Sequence, residues 1–187
     1  MAQKIIAEER VFDELKKAIV NALGVDAKSI KRESILTMDL GAESLDFLDI
    51  NYNLEQVFGF RMARHFLLEH AEEMFGEGSA INEHGQLTLK ALKLLGMRFG
   101  EDLSSWNEEA DMDGIINLIS VQSMAGGVMD ILDSLPERCV SCSHSSWKTD
   151  DGTHIICGSC GSSAPFTNGD DLTIEWLNKI QKEKKIF

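Results

Sequence analysis

The sequence predicts a mainly α protein: a helical bundle with an inserted helical segment, then a small cysteine-hooked module and a C-terminal helix. Three observations lead there. Apolar residues recur at helical spacing in three stretches, 7–23, 44–58 and 121–134. A further apolar segment of helical character lies between the second and third stretches. Four cysteines stand as two Cys-X-X-Cys hooks after Pro136. A chain of 187 residues, 43% hydrophobic, has room for one or two domains with a core of their own.

The first helix is expected over 7–23, with Val11, Phe12, Leu15, Ile19, Val20 and Leu23 on one face and Gly24 as its stop. Residues 25–38 hold Val25, Ile30, Ile35 and Leu36 among polar neighbours, which suits a long loop laying a few apolar side chains over a bundle. Next comes Asp39-Leu40-Gly41-Ala42-Glu43-Ser44-Leu45-Asp46. Gly41 permits a tight turn, and Ser44 stands at the head of a helix that runs to Phe58 and stops at Gly59. The inward face of that helix is expected to be Leu48, Ile50, Leu54, Val57 and Phe58.

A serine before a helix is by itself an ordinary N-cap. The eight residues together resemble the prosthetic-group site of acyl carrier proteins, whose pattern is Asp-Leu-Gly-Ala/Gly-Asp/Glu-Ser-Leu followed by Asp or Glu. The resemblance implies a 4'-phosphopantetheine arm joined to the Ser44 hydroxyl as a phosphodiester. A phosphate there would face free N–H groups and the positive end of the helix dipole. It also implies that Glu43 and Asp46 help position the modifying transferase and its metal. Asp39, Glu43, Asp46, Asp49 and Glu55 are acidic, and no basic residue lies between 39 and 58. With Leu45, the first four of these form the expected partner-recognition surface for basic enzymes. Phe47, Asn51 and Tyr52 depart from commoner choices in the family.

The resemblance is strong over 7–60 and returns weakly over 117–135. Ile119-Ser120-Val121-Gln122-Ser123-Met124 resembles the entry into the last carrier helix, which continues through Val128, Met129, Ile131 and Leu132. Residues 61–118 therefore read as an insertion in an acyl-carrier-like bundle. Helices are expected from Met62 to Phe75 and from Leu87 to Phe99, with Thr88 as a cap and a turn at Asn82-Glu83-His84-Gly85. Ser104-Ser105-Trp106 and Ala110 to Gly114 read as loop. The insertion is too apolar to stand alone in water; it reads as extra core, or as a wider acyl cavity or docking face. His65, His70 and His84 show no catalytic spacing and read as surface or structural residues. Gly126-Gly127 weakens the last helix and would allow a close approach there.

Cys139-Val140-Ser141-Cys142 and Cys157-Gly158-Ser159-Cys160 lie fourteen residues apart. Two matched hooks at this spacing point to structural zinc held by Cys139, Cys142, Cys157 and Cys160 in a zinc-ribbon-like module. Disulfides or a redox dithiol are the alternatives; a cytoplasmic setting disfavours the first and the doubling of the hook disfavours the second. Four thiolates leave no open position, so the metal would not be catalytic. His144 and His154 lie close enough in sequence to serve as substitute ligands, though nothing requires them. Strands are expected at Ser145 to Lys148 and Thr153 to Ile156, turned by Asp150-Asp151-Gly152. A closing helix is expected over 170–183, capped by Asp171 or Thr173, with Trp176 on the ribbon.

The expected division is 1–135, an acyl-carrier-like domain with its insertion at about 61–118, and 136–187, the ribbon with its closing helix. Residues 1–135 hold 24 acidic and 12 basic side chains, and residues 136–187 hold 7 and 6. That acidity argues against nucleic acid or an anionic membrane as a partner. No apolar run reaches membrane-spanning length and no secretory leader opens the sequence, so the expectation is a cytoplasmic monomer without membrane insertion.

The expected function is a specialised acyl carrier, not an enzyme. It would hold acyl intermediates as thioesters in fatty acid, lipid or polyketide-type biosynthesis, and would meet a phosphopantetheinyl transferase and acyl-processing enzymes. The competing expectation is a non-enzymatic scaffold that docks partner enzymes through the bundle and the ribbon. Gain of the arm separates the two.

Overall fold

A computed structural model describes residues 3–100, 102–103, 106 and 112–187, without the side chains of Met112 and Asp113. Ser104, Ser105, Ala110 and Asp111, read from sequence as loop, lie outside the described residues. The described residues form seven α-helices and one two-stranded sheet, so the protein is mainly α. They divide into two compact units, Met1–Met62 with Ser120–Gly169, and Ala63–Ile119 with Asp170–Phe187.

In the first unit, α1 spans Glu8–Leu23, α2 Ser44–Phe58 and α6 Val121–Asp133. Their buried residues follow helical periods: Val11, Leu15, Ala18 and Ile19 on α1; Ile50, Leu54 and Phe58 on α2; Val121, Ala125, Val128 and Leu132 on α6. Both α2 and α6 pack on α1. Burying such a stripe removes apolar surface from water at about 25 cal/mol per Å². Ser120 caps α6 by accepting a hydrogen bond from Ser123 N at 3.0 Å. A Cβ built at Gly126 or Gly127 would meet nothing within 4 Å among the described residues, so the expected close approach of backbone is not found there.

The loop from 24 to 43 follows the bundle closely. Ile30, Leu36 and Leu40 are buried. Ser34 O accepts from Val121 N at 2.9 Å and Arg32 O from Gln122 N at 2.8 Å. The Arg32 guanidinium pairs with Glu8 at 2.9 Å and Glu9 at 2.7 Å, donates to Gln122 Oε1 at 2.8 Å, and lies 4.4 Å from the Phe12 ring centre. One side chain thus ties the loop to α1 and α6 before the chain reaches the turn at Gly41.

The cysteine module belongs to the same compact unit. Strand β1 is Trp147–Thr149 and β2 is Ile155–Cys157, antiparallel, with Lys148 opposite Ile156. Each starts two residues later than the sequence pattern suggests. Phe60 stacks on Phe58 with ring centres 5.5 Å apart and meets Phe166 edge-on at 6.3 Å. Trp147 Nε1 donates to Pro136 O at 2.8 Å, and Thr167 N donates to Ser134 Oγ at 2.9 Å.

The second unit holds α3 (Leu67–Phe75), α4 (Leu89–Phe99), α5 (Met112–Ile116) and α7 (Gly169–Lys184, of which residues from 170 belong here). Thr88 caps α4 as expected, accepting from Ala91 N at 3.2 Å. The turn at 82–85 closes through Gly85 N to Asn82 O at 2.9 Å. Several readings change, among them the place of Trp176, expected on the ribbon. Helix α3 begins at Leu67, five residues later than expected, and residues 112–114, expected as loop, lie in the helix Met112–Ile116. Helix α7 starts at Gly169, so Asp171 and Thr173 lie inside it and are not caps. Trp176 packs with Leu177 and Ile186 against a core that includes Leu68, Leu94 and Leu95, and Arg98 sits 5.6 Å over its ring. The closing helix therefore completes the core of the insertion, because its apolar face needs a partner and the insertion supplies one.

No helix among the described residues is long and apolar enough to cross a membrane.

Candidate functional site

Ser44 is the first residue of α2, and its side chain faces solvent. The turn ahead of it is built by hydrogen bonds. Asp39 N donates to Ile35 O at 2.9 Å, and Asp39 Oδ2 accepts from Ile35 N at 2.7 Å. Gly41 N donates to Thr37 O at 3.1 Å and Ala42 N to Leu36 O at 2.9 Å. Gly41 adopts φ +73°, a left-handed value that a side chain disfavours. Leu40 and Ala42 point into the core on either side of it. The loop is thus pinned, and the serine is presented at a fixed place.

The cap of α2 is Glu43, not Ser44. Asp46 Oδ2 accepts from Glu43 N at 2.7 Å, and Asp46 N donates to Glu43 O at 3.0 Å. This return bond from the third helical residue closes the helix end. The serine hydroxyl is therefore not required for capping, which removes the plain N-cap explanation of its position.

The acidic residues Asp39, Glu43 and Asp49 are exposed, and Asp46 is half-buried. Between them lies apolar surface. Leu45 is 74% exposed, Leu48 53% and Tyr52 59%, at helical spacing on α2, and Met38 is exposed on the preceding loop. The expected inward place of Leu48 is thus corrected: only Ile50, Leu54 and Phe58 of that helix are fully buried. An outward apolar stripe with an acidic border is a surface that desolvates on contact while charge sets orientation.

The four cysteines converge. Cys139 Sγ lies 3.7 Å from Cys160 Sγ, and Cys142 Sγ 3.6 Å from Cys157 Sγ. All four sulfurs lie within 4.8 Å of one another. Four thiolates at 2.3 Å from a central zinc would stand about 3.8 Å apart along a tetrahedral edge, which these pairs match. A disulfide would need about 2.05 Å, and all four are free thiols.

The two hooks are built alike. Cys139 O accepts from Ser143 N at 2.8 Å, and Cys139 N donates to His144 O at 2.8 Å. Cys157 O accepts from Gly161 N at 2.9 Å, and Cys157 N donates to Ser162 O at 2.8 Å. Ser143 and Gly161 share positive φ, +60° and +75°. Gly158 permits the second hook to pass Ser146: a Cβ there would lie 2.6 Å from Ser146 Oγ.

The thiols do not titrate alike. Hydrogen bonds from Ser162, through side chain and backbone, bring Cys160 down to about 6. Bonding to the backbone at Cys160 and Ser159 lowers Cys157. The backbone at His144 pulls Cys142 down, but desolvation and the other three sulfurs outweigh it and push it up to about 12. Cys157 and Cys160 are drawn toward the thiolate while Cys142 is held toward the thiol by its crowded neighbours, and a divalent cation at the centre would relieve that conflict. The donor set suits zinc. His144 and His154 are not in the cluster: Nδ1 of His144 lies 3.1 Å from Cys142 O, and Nδ1 of His154 lies 2.7 Å from Asp151 Oδ2.

His65 and His70, read from sequence as surface or structural, meet Asp170. No local spacing could have shown this, since Asp170 lies 100 residues beyond His70.

Residues 13–72 match the family described as "Phosphopantetheine attachment site". The chain is 39% identical over 72 residues to the acyl carrier protein of Clostridium acetobutylicum, covering 38% of this chain and 88% of that protein. It is 40% identical over 55 residues to the acyl carrier protein of Coprothermobacter proteolyticus, covering 29% and 67%. It is 38% identical over 56 residues to that of Thermotoga maritima, covering 30% and 69%. No solved structure matches the chain. The proteins of this family carry acyl groups and do not catalyse. With a pinned turn, a serine-headed helix and most of a carrier protein's length matched, this chain belongs to the acyl carrier protein family.

Proposed function

We propose that the protein is a specialised acyl carrier whose arm is attached at Ser44, serving fatty acid, lipid or polyketide-type biosynthesis. The observation that carries this reading is the exposed Ser44 at the head of α2, with the cap of that helix supplied by Glu43 instead. When bound, 4'-phosphopantetheine supplies a terminal thiol that holds an acyl group as a thioester.

The protein's own residues do the rest. The opening turn of α2 offers backbone N–H groups and positive dipole to a phosphodiester on the Ser44 oxygen. Gly41, held by the Thr37 carbonyl, keeps the turn before the serine tight. Asp39, Glu43, Asp46 and Asp49 steer a basic transferase or acyl-processing enzyme, and Leu45 and Leu48 give the apolar contact. Tethering then raises the local concentration of the acyl group at the partner's active site.

Zinc on Cys139, Cys142, Cys157 and Cys160 would hold the module of residues 136–169 in shape and take no part in acyl transfer. We place the carrier's working surface in residues 1–135 and the metal module after it.

The test is intact mass after coexpression with a phosphopantetheinyl transferase. A gain of one phosphopantetheine, mapped to the peptide with Ser44, is expected. An unmodified chain that still bound acyl-processing enzymes would replace the carrier reading with that of a docking scaffold.

A further inference from the structure

We propose that His65, His70 and Asp170 form a second metal site, for a divalent ion of the zinc or cobalt class, within the second compact unit. The ligand atoms of the three residues lie within 4.8 Å of one another. His70 Nε2 is 3.0 Å from Asp170 Oδ1, and His65 Nδ1 is 3.5 Å from the same oxygen. Nitrogen and oxygen donors at 2.0–2.1 Å from a tetrahedral zinc stand about 3.4 Å apart, so small movements of these side chains would close around an ion. Two imidazoles and a carboxylate suit zinc, cobalt or nickel over calcium or magnesium.

The donors are already held in place. Asp170 sits in the first turn of α7, and its carboxylate accepts from Arg64 N at 3.0 Å and from His65 N at 3.0 Å. His70 is on α3 with its side chain 5% exposed. The rings of His65 and His70 meet edge-on with centres 5.5 Å apart.

A second observation points to a ligand. Nδ1 of His70 is buried and has no hydrogen-bond partner. Its nearest carboxylate is Glu73 Oε2, at 4.0 Å. If Nε2 carries the proton toward Asp170, Nδ1 is left as a bare buried acceptor, which is unfavourable. A metal on Nε2 reverses this. The proton then resides on Nδ1 and points toward Glu73, as metal-bound histidines commonly donate their other N–H to a carboxylate. No proton is lost in that exchange; it changes nitrogen.

Three protein ligands leave a fourth position for water or another small donor. The ion would join α7 to the start of α3, two segments of one unit far apart in sequence.

The experiment uses the full chain with its cysteine site already saturated with zinc. Further zinc is added and followed by calorimetry, with nitrogen spectra of the imidazoles. Wild type should take one additional equivalent, with the His70 proton moving from Nε2 to Nδ1. His65→Ala changes a side chain that is 57% exposed and should keep the fold. It should weaken the additional equivalent at least tenfold while leaving the cysteine-bound metal in place. Cobalt should report the same stoichiometry without new thiolate charge-transfer absorption. No additional equivalent in wild type, or one of equal affinity in His65→Ala, would overturn the proposal and leave the three residues as a hydrogen-bonded latch.

Discussion

The Asp46 carboxylate takes its hydrogen bond from the backbone N–H of Glu43, at 2.7 Å, and so closes the end of the helix that Ser44 begins. One of the two acids flanking the serine thus has a structural task as well as the recognition task that charge suggests. The serine has no such task, and its side chain lies open to solvent. This separation makes the site testable residue by residue.

Ser44→Ala is expected to abolish attachment of the arm and to change stability by no more than about 0.5 kcal/mol, as for an exposed helical position outside the cap. Intact mass and a denaturant melt of the same sample check both halves. A mutant that still gained the arm would place the attachment elsewhere.

Asp46 allows charge and capping to be told apart. Asp46→Asn keeps a side-chain oxygen for the Glu43 N–H but removes the charge. It should slow modification at low ionic strength and hardly alter stability. Asp46→Ala should slow modification similarly and also cost about 1 kcal/mol. Glu43→Lys combined with Asp46→Asn should leave a residual rate that is less sensitive to salt, because part of the steering that ions screen is gone while Asp39 and Asp49 remain. Rates unaffected by any of these changes would remove the recognition role.

Helix α2 makes a sharper prediction about its two faces. Leu54 is fully buried and Leu48 is 53% exposed. Leu54→Ala should cost about 2–5 kcal/mol by leaving a cavity. Leu48→Ala should leave the melt within about 0.5 kcal/mol while weakening binding to an acyl-processing enzyme. Equal losses of stability would mean that both leucines face the core.

The reading of Leu48 shows where sequence reasoning reached its limit. Periodicity identifies apolar positions, but an outward stripe meant for a partner has the same composition as an inward one. The Ser44 turn and the two cysteine hooks were legible because each is local: eight residues in one case, four and four in the other. Helix α7 was found, but the core it enters was not, since Trp176 and Leu177 pack among residues of the insertion. The meeting of His65 and His70 with Asp170 was hidden for the same reason. Glu43 was missed as the cap because serine is the commoner capping residue.

Acid should loosen the second unit through Glu72. Its carboxylate accepts from Gly78 N at 2.6 Å, Ala80 N at 2.5 Å and Ile81 N at 2.8 Å, closing the turn after α3. Desolvation pushes its pKa up, but the bonds from Ile81, Ala80 and Gly78 prevail and hold it below the usual carboxylate value. A carboxylate whose pKa is lowered on folding contributes stability in full above its unfolded pKa, about 4.3. That contribution is lost as pH falls through the lower folded value. Glu72→Gln should therefore flatten the loss of α3 and α4 amide protection below pH about 4, relative to wild type. An unchanged acid profile would show that these three bonds do not set it.

Removal of metal tests the cysteine module. Residues 139–162 contain two short strands and little apolar volume, so the four thiolates and their ion should supply much of the folding free energy of that segment. The helices α1, α2 and α6 bury Leu15, Ile19, Leu54, Val128 and Leu132 on their own account. A strong chelator or Cys157→Ser should therefore disorder the hooks and strands while the three helices keep their amide signals and Ser44 still accepts the arm. Local shifts are expected where the module touches the bundle, at Gly59, which lies against the His154 ring, and at Phe60, which meets Phe166. Protein purified under reducing conditions should hold one zinc on the four cysteines, released with Cys157→Ser. Absence of that zinc would remove the metal assignment. Loss of every helical signal on chelation would instead show that module and bundle unfold as one cooperative unit, with the Phe58, Phe60 and Phe166 rings as the natural bridge between them.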